Sequence, residues 1–177
     1  MADWMDDLRD ALAADERTRK EAEERERQSE FQISFAIGQV FGALQKSVEL
    51  SIPTLNQRLF EGKKIVIFGY EDNMITGNQF IITNLPLRYF VKKAPQQIEC
   101  RLKEGSYPDW DWVSVENGAQ DVIVTTNGEE LFQTQDTKRE TVRSIEEVTE
   151  RLLSTIVRAS AAIRRERPPA RPRFFLE

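Results

Sequence analysis

Apolar residues change their spacing several times along the chain, and each change marks a predicted element. From Trp4 to Leu12 the residues Trp4, Met5, Leu8, Ala11 and Leu12 recur at helical intervals. Asp3, Asp6 and Asp7 lie near the start, where a helix dipole favours negative charge. From Glu16 to Glu30 nearly every residue is charged. Glu16 precedes Lys20, Glu21 precedes Arg25 and Glu23 precedes Arg27 by four positions, the orientation that favours ion pairs on a helix surface. Ala22 is the one apolar residue in this stretch, too little for a strong coiled-coil seam. Residues 1–30 are therefore expected to form a charged, solvated helical arm.

Beyond it a helix is predicted from Ser29 to Leu50. Ile33, Ile37, Phe41, Leu44 and Val48 form one stripe, which Phe31, Phe35 and Val40 widen. Gly38 and Gly42 share a face, where a second helix backbone has room for close approach. Pro53 is expected to break or kink this helix, Thr54 to Phe60 to add a turn or two, and Gly62 to end it.

The spacing then becomes that of strands. Ile65 to Phe68 is a continuous apolar run, as in an interior strand. Gln79–Thr83 and Leu87–Lys92 flank a turn at Asn84-Leu85-Pro86. Over Ile98–Lys103 the pattern alternates, with Ile98, Cys100 and Leu102 on one face and Glu99, Arg101 and Lys103 on a face turned to water. Asn117-Gly118 and Asn127-Gly128 suit tight hairpins and predict a meander of Trp110–Glu116, Asp121–Thr126 and Glu129–Thr134. Finally Val142, Ile145, Val148, Leu152, Ile156, Ala159 and Ile163 recur at the alternating threes and fours of a coiled coil. A helix is predicted from Thr137 to Arg167, with Asp136 or Thr137 as N-cap and a length of about 45 Å. The expected class is α+β: a mostly antiparallel sheet or small barrel of six or seven strands within residues 64–134. In the domain of residues 31–167, the two helices pack on it.

The chain has 177 residues, 31% of them charged, a formal net charge of −5, no histidine and one cysteine. Without histidine there is no Ser-His-Asp or Cys-His pair, no imidazole base and no Cys/His zinc cluster within one chain. No GxxxxGK[ST] or GxGxxG loop occurs, and no cofactor is expected. A lone cysteine on an apolar strand face is expected to be buried and inert. An acidic N-terminus and the lack of a long apolar run predict a cytoplasmic protein with no membrane span.

Two carboxylate sets are candidates for chemistry beyond ordinary surface roles. Asp72, Glu99 and Arg101 resemble the Asp…Glu-x-Lys arrangement of restriction-type nucleases, with arginine in the lysine position. Arginine is a poor substitute for a tunable amine, so the solvent face of a strand is favoured over a metal-dependent nuclease or phosphodiesterase. In Asp109-Trp110-Asp111-Trp112 a strand puts both tryptophans on one side and both aspartates on the other, so the rings serve either as core or as a recognition surface. The spacing fits no EF-hand.

Strands followed by one long helix, with Phe80-Ile81-Ile82-Thr83-Asn84 and then Arg88, resemble bacterial pleckstrin-homology-like domains. The resemblance implies a binding platform and no enzyme. The leading expectation is a non-enzymatic protein-interaction module, a subunit, adaptor or inhibitor in a larger or homo-oligomeric complex. An overlong last helix and a tail at 168–177 that is rich in Pro and Arg, then aromatic, place the partner at Ile156, Ala159, Ile163, Arg164, Arg165, Arg167, Arg171, Arg173, Phe174, Phe175 and Leu176. The arginines of this tail also suggest nucleic-acid binding as an alternative.

Overall fold

The computed structural model describes residues 3–70, 77–106 and 111–166. The three predicted helical pieces at the start are one helix, α1 (Asp3–Phe60), of 58 residues and so about 87 Å long. Pro53 does not interrupt it. The proline removes one backbone donor, and the carbonyl it would have served belongs to Glu49, an exposed residue. The helix stops at Glu61 and Gly62, both at positive φ, where the Gly62 N–H reaches back to the Asn56 carbonyl.

Eight strands follow in one sheet, every pairing antiparallel: β1 (Ile67–Gly69), β2 (Gln79–Asn84), β3 (Leu87–Lys93), β4 (Ile98–Ser106), β5 (Asp111–Ser114), β6 (Val122–Thr126), β7 (Leu131–Gln135) and β8 (Lys138–Val142). The α+β class and the open antiparallel sheet agree with the sequence reading. Its details do not all survive. The expected interior strand at Ile65–Phe68 is the three-residue strand β1, which among the described residues is bonded to β2 alone and so forms an edge. It cannot begin earlier because Val66 is held by the side chain of Asn56: Nδ2 donates to the Val66 carbonyl at 2.8 Å and the Val66 N–H donates to Oδ1 at 3.0 Å.

The expected three-strand meander is also different. Neither β5 nor β6 pairs with the other; both line the same edge of β4, with Lys103–Ser106 opposite β5 and Ile98–Cys100 opposite β6. Asn117 and Gly118 belong to a 3-10 turn, Val115–Gly118, that interrupts what would be one long partner strand. At the interruption the Leu102 N–H donates instead to Asp121 Oδ1 at 2.9 Å.

The last helix, α2 (Ile145–Glu166), has 22 residues and spans about 33 Å, well short of the expected length. Residues read as its first turns form β8, after a two-residue turn in which Asp136 and Thr137 both have positive φ. The N-cap is Ser144, whose carbonyl starts the helix and whose Oγ accepts the Glu147 N–H at 3.4 Å. Glu147 also accepts from the Arg143 N–H.

The core lies between the two helices and one sheet face. Ile37, Phe41, Leu44, Val48 and Ile52 of α1 and Val148, Leu152, Leu153 and Ile156 of α2 cover Phe80, Ile82, Leu87, Tyr89, Val91, Ile98, Cys100, Leu102, Val122 and Val124. A Ser47–Thr149 hydroxyl contact of 2.8 Å joins the helices inside this seam. Replacing Asn56 by alanine strands both backbone groups of fully buried Val66. The expected loss is about 2–4 kcal/mol in urea unfolding, and a loss below about 1 kcal/mol would mean that water replaces the amide.

Candidate functional site

Exposure divides α1 in two. From Trp4 to Gln32 every residue is exposed except half-buried Ala13, whereas from Ile37 onward one stripe is buried. The arm is a solitary helix stabilised along its surface by ion pairs. Glu16–Lys20 is one of those expected, at 2.8 Å, and Glu23 is paired with Arg19 at 3.6 Å. Such pairs contribute a few tenths of a kcal/mol each, about 0.3–0.5.

Large apolar groups stand out on this helix. Phe31 is 73% and Phe35 62% exposed, and Trp4, Met5, Leu8 and Leu12 are exposed near its start. Phe31, Phe35, Gly38 and Gly42 fall at intervals of four, three and four, so they share one face about 100° round the helix from the buried stripe. A Cβ built on Gly38 or Gly42 meets nothing within 4 Å. Among the described residues the glycine face therefore receives no second helix. Between the C-terminal part of α1 and α2 there is also an apolar groove of about 620 Å³, with Leu50, Leu55, Leu59, Leu153 and Val157 in its walls.

The residues predicted to bind a partner are a different set. Ile156 is fully buried in the chain's own core, and Ala159 and Ile163 pack against that core. Arg164 is engaged internally: its Nη2 donates to Asn84 Oδ1 and to the Leu85 carbonyl, both at 2.7 Å, beside Ser160 Oγ, which donates to the same carbonyl at 2.9 Å. This knot ties the end of α2 to the β2–β3 turn. Arg165 is exposed in the last turn, and Arg167, Arg171, Arg173, Phe174, Phe175 and Leu176 lie outside the described residues. One reason for expecting a partner there, a stripe longer than the sheet, is weakened by the shorter helix, and the other, the tail at 168–177, falls outside the described residues.

The sheet face opposite the helices carries no helix among the described residues. Strand register puts Arg88, Phe90 and Lys92 of β3, Glu99, Arg101 and Lys103 of β4, Trp112 of β5, and Phe132 and Arg139 of β7 and β8 on it. The Arg88 guanidinium lies 4.3 Å from the Trp112 ring centre and the Arg139 guanidinium 4.0 Å from that of Phe132. Lys103 Nζ stands 5.2 Å from Phe90. Phe90 and Trp112 meet edge to face at 5.9 Å. Trp112 thus points to the outer side and packs on an arginine; Asp109 and Trp110 lie outside the described residues.

Of the candidate nuclease set, Asp72 also lies outside them. Glu99 accepts from Arg101 Nη2 and from Gln97 Nε2, each at 2.9 Å, and these bonds, the one from Arg101 foremost, hold its carboxyl below the usual range. Among the described residues no group of three or more acidic or sulfur ligands is placed to hold a metal ion, and no helix is long and apolar enough to cross a membrane. Cys100 is fully buried; burial, with Asp121 and Glu99 adding negative charge, pushes its thiol up. No known family, curated protein or solved structure matches the chain.

Two outcomes check this geometry. Cys100 is expected to resist a thiol reagent in the folded protein and to react once urea unfolds it; rapid modification without unfolding would contradict its burial. Glu99, with a folded pKa below its unfolded one, contributes stability above the unfolded value and loses it as pH falls through the folded one. Arg101→Ala should return its NMR titration toward the ordinary carboxylate value and remove no more than about 1 kcal/mol at neutral pH.

Proposed function

We propose that the chain is a non-enzymatic interaction module that pairs with a second copy of itself through α1. The observation that carries this reading is the quartet Phe31, Phe35, Gly38 and Gly42: two exposed rings followed, on the same face, by two glycines with open space above them. Phe31 lies as far before the midpoint of this quartet as Gly42 lies after it, and Phe35 and Gly38 are placed likewise. Two copies of α1 laid antiparallel about that midpoint set each phenylalanine over a glycine of the other, a self-complementary two-fold contact.

The fold supports pairing in trans over closure in cis. Because α1 is unbroken, Leu12 and Leu50 are held about 57 Å apart, so the arm has no route back to its own body. None of the described residues covers it, which favours burial by another chain.

Sedimentation velocity is expected to find a dimer, and Phe31→Ala/Phe35→Ala a monomer with unchanged helicity. Gly38→Leu/Gly42→Leu separates pairing from folding. In a lone helix these changes raise helix stability by up to about 1 kcal/mol per glycine, whereas in the pair they fill the space each ring needs. A wild-type monomer, or a dimer that survives the leucines, overturns the reading.

A further inference from the structure

We propose that the outer face of the sheet, remote from the Phe31–Gly42 stripe in its chemistry and independent of pairing through it, binds single-stranded nucleic acid. Among the outward-facing strand positions described, Arg88, Lys92, Arg101, Lys103 and Arg139 are cationic and Glu99 is the one carboxylate. Arg101 is committed to Glu99. This leaves Arg88, Lys92, Lys103 and Arg139 for phosphates on a protein whose formal net charge is −5. A basic face segregated on an acidic chain complements a polyanion, and its one carboxylate, Glu99, is neutralised by Arg101.

The ring chemistry separates a nucleic acid from an acidic peptide. The Arg139 guanidinium lies on the ring of Phe132 and the residue is exposed, so it offers its far side as a flat platform; the Arg88 guanidinium lies on Trp112 in a half-buried place, with its Nε enclosed. Bases stack on guanidinium planes as well as on aromatic rings. Phe90 and Phe132 stand on β3 and β7 with β4 and β6 between them, which places the two ends of the surface about 14 Å apart across the sheet. A short run of nucleotides crossing the strands meets cations and stacking surfaces alternately. A peptide of glutamates has a use for the cations alone.

The test is fluorescence anisotropy of labelled oligo-dT and oligo-U with the full-length protein. Binding at low salt is expected, with log affinity falling against log salt at a slope of about −3 for four phosphate contacts. Lys92→Glu/Lys103→Glu should weaken it by roughly tenfold or more. Phe132→Ala should weaken it by about fivefold to a hundredfold, and Arg139→Ala, a fully surface change, should flatten the salt slope by about 0.7. Far-UV circular dichroism confirms that each variant is folded. No binding at low salt overturns the proposal. So does binding indifferent to the lysine reversals, which would place it on other arginines of the chain. Polyglutamate binding as tightly as oligo-dT, with no effect of Phe132→Ala and Arg139→Ala, would assign the face to acidic peptide instead.

Discussion

The seam made by Ile37, Phe41, Leu44, Val48 and Ile52 of α1 against α2 and the inner sheet face is the contact on which the rest of the molecule depends. An antiparallel sheet with one apolar face needs a cover, and here two helices supply it together. Removing any of these large side chains leaves a cavity shared by three elements, with a cost of about 2–5 kcal/mol for a leucine or isoleucine. The seam also fixes direction. Once the second half of α1 is clamped and the helix continues without a break, the first half must project into solvent.

Side chains complete the backbone bonding where the strands leave gaps. Asn56 supplies both a donor and an acceptor to Val66 before β1 begins, and Asp121 accepts from Leu102 where β5 gives way to β6. Asn84, itself buried, receives Arg164 at the end of α2. Each of these polar groups satisfies a bond in or beside the core, so each contributes mostly through the cost of leaving its partner unpaired. They set where strands start and stop more sharply than the apolar pattern does.

Two of the surfaces left after the core is closed differ in chemistry. One is a helix face of rings and glycines with shape but little charge; the other is a sheet face of arginines and lysines resting on aromatic rings. The first suits a copy of the same face and the second suits a flexible anion. Pairing through α1 would bring two such sheet faces into one assembly, and linked sites raise apparent affinity for a long strand when its reach matches their separation.

The sequence by itself determined the α+β class, the antiparallel order of most strands and the two-faced character of β4, because alternation in Ile98 to Lys103 can be satisfied in only one way beside a core. It also marked the charged arm and the sulfur of Cys100 as an apolar-face residue. Tertiary structure alone decided that Pro53 sits inside a helix, since packing of Ile52 and Leu55 on either side holds the chain helical against a local preference. Only pairing with β7 made Lys138–Val142 a strand: its charged residues carry no alternation, and the threes and fours running on from Val142 mimic a helix start. That misassignment lengthened the expected α2 at its start. Spacing along the chain records which residues want burial, and the three-dimensional contacts decide whether the chain buries them itself.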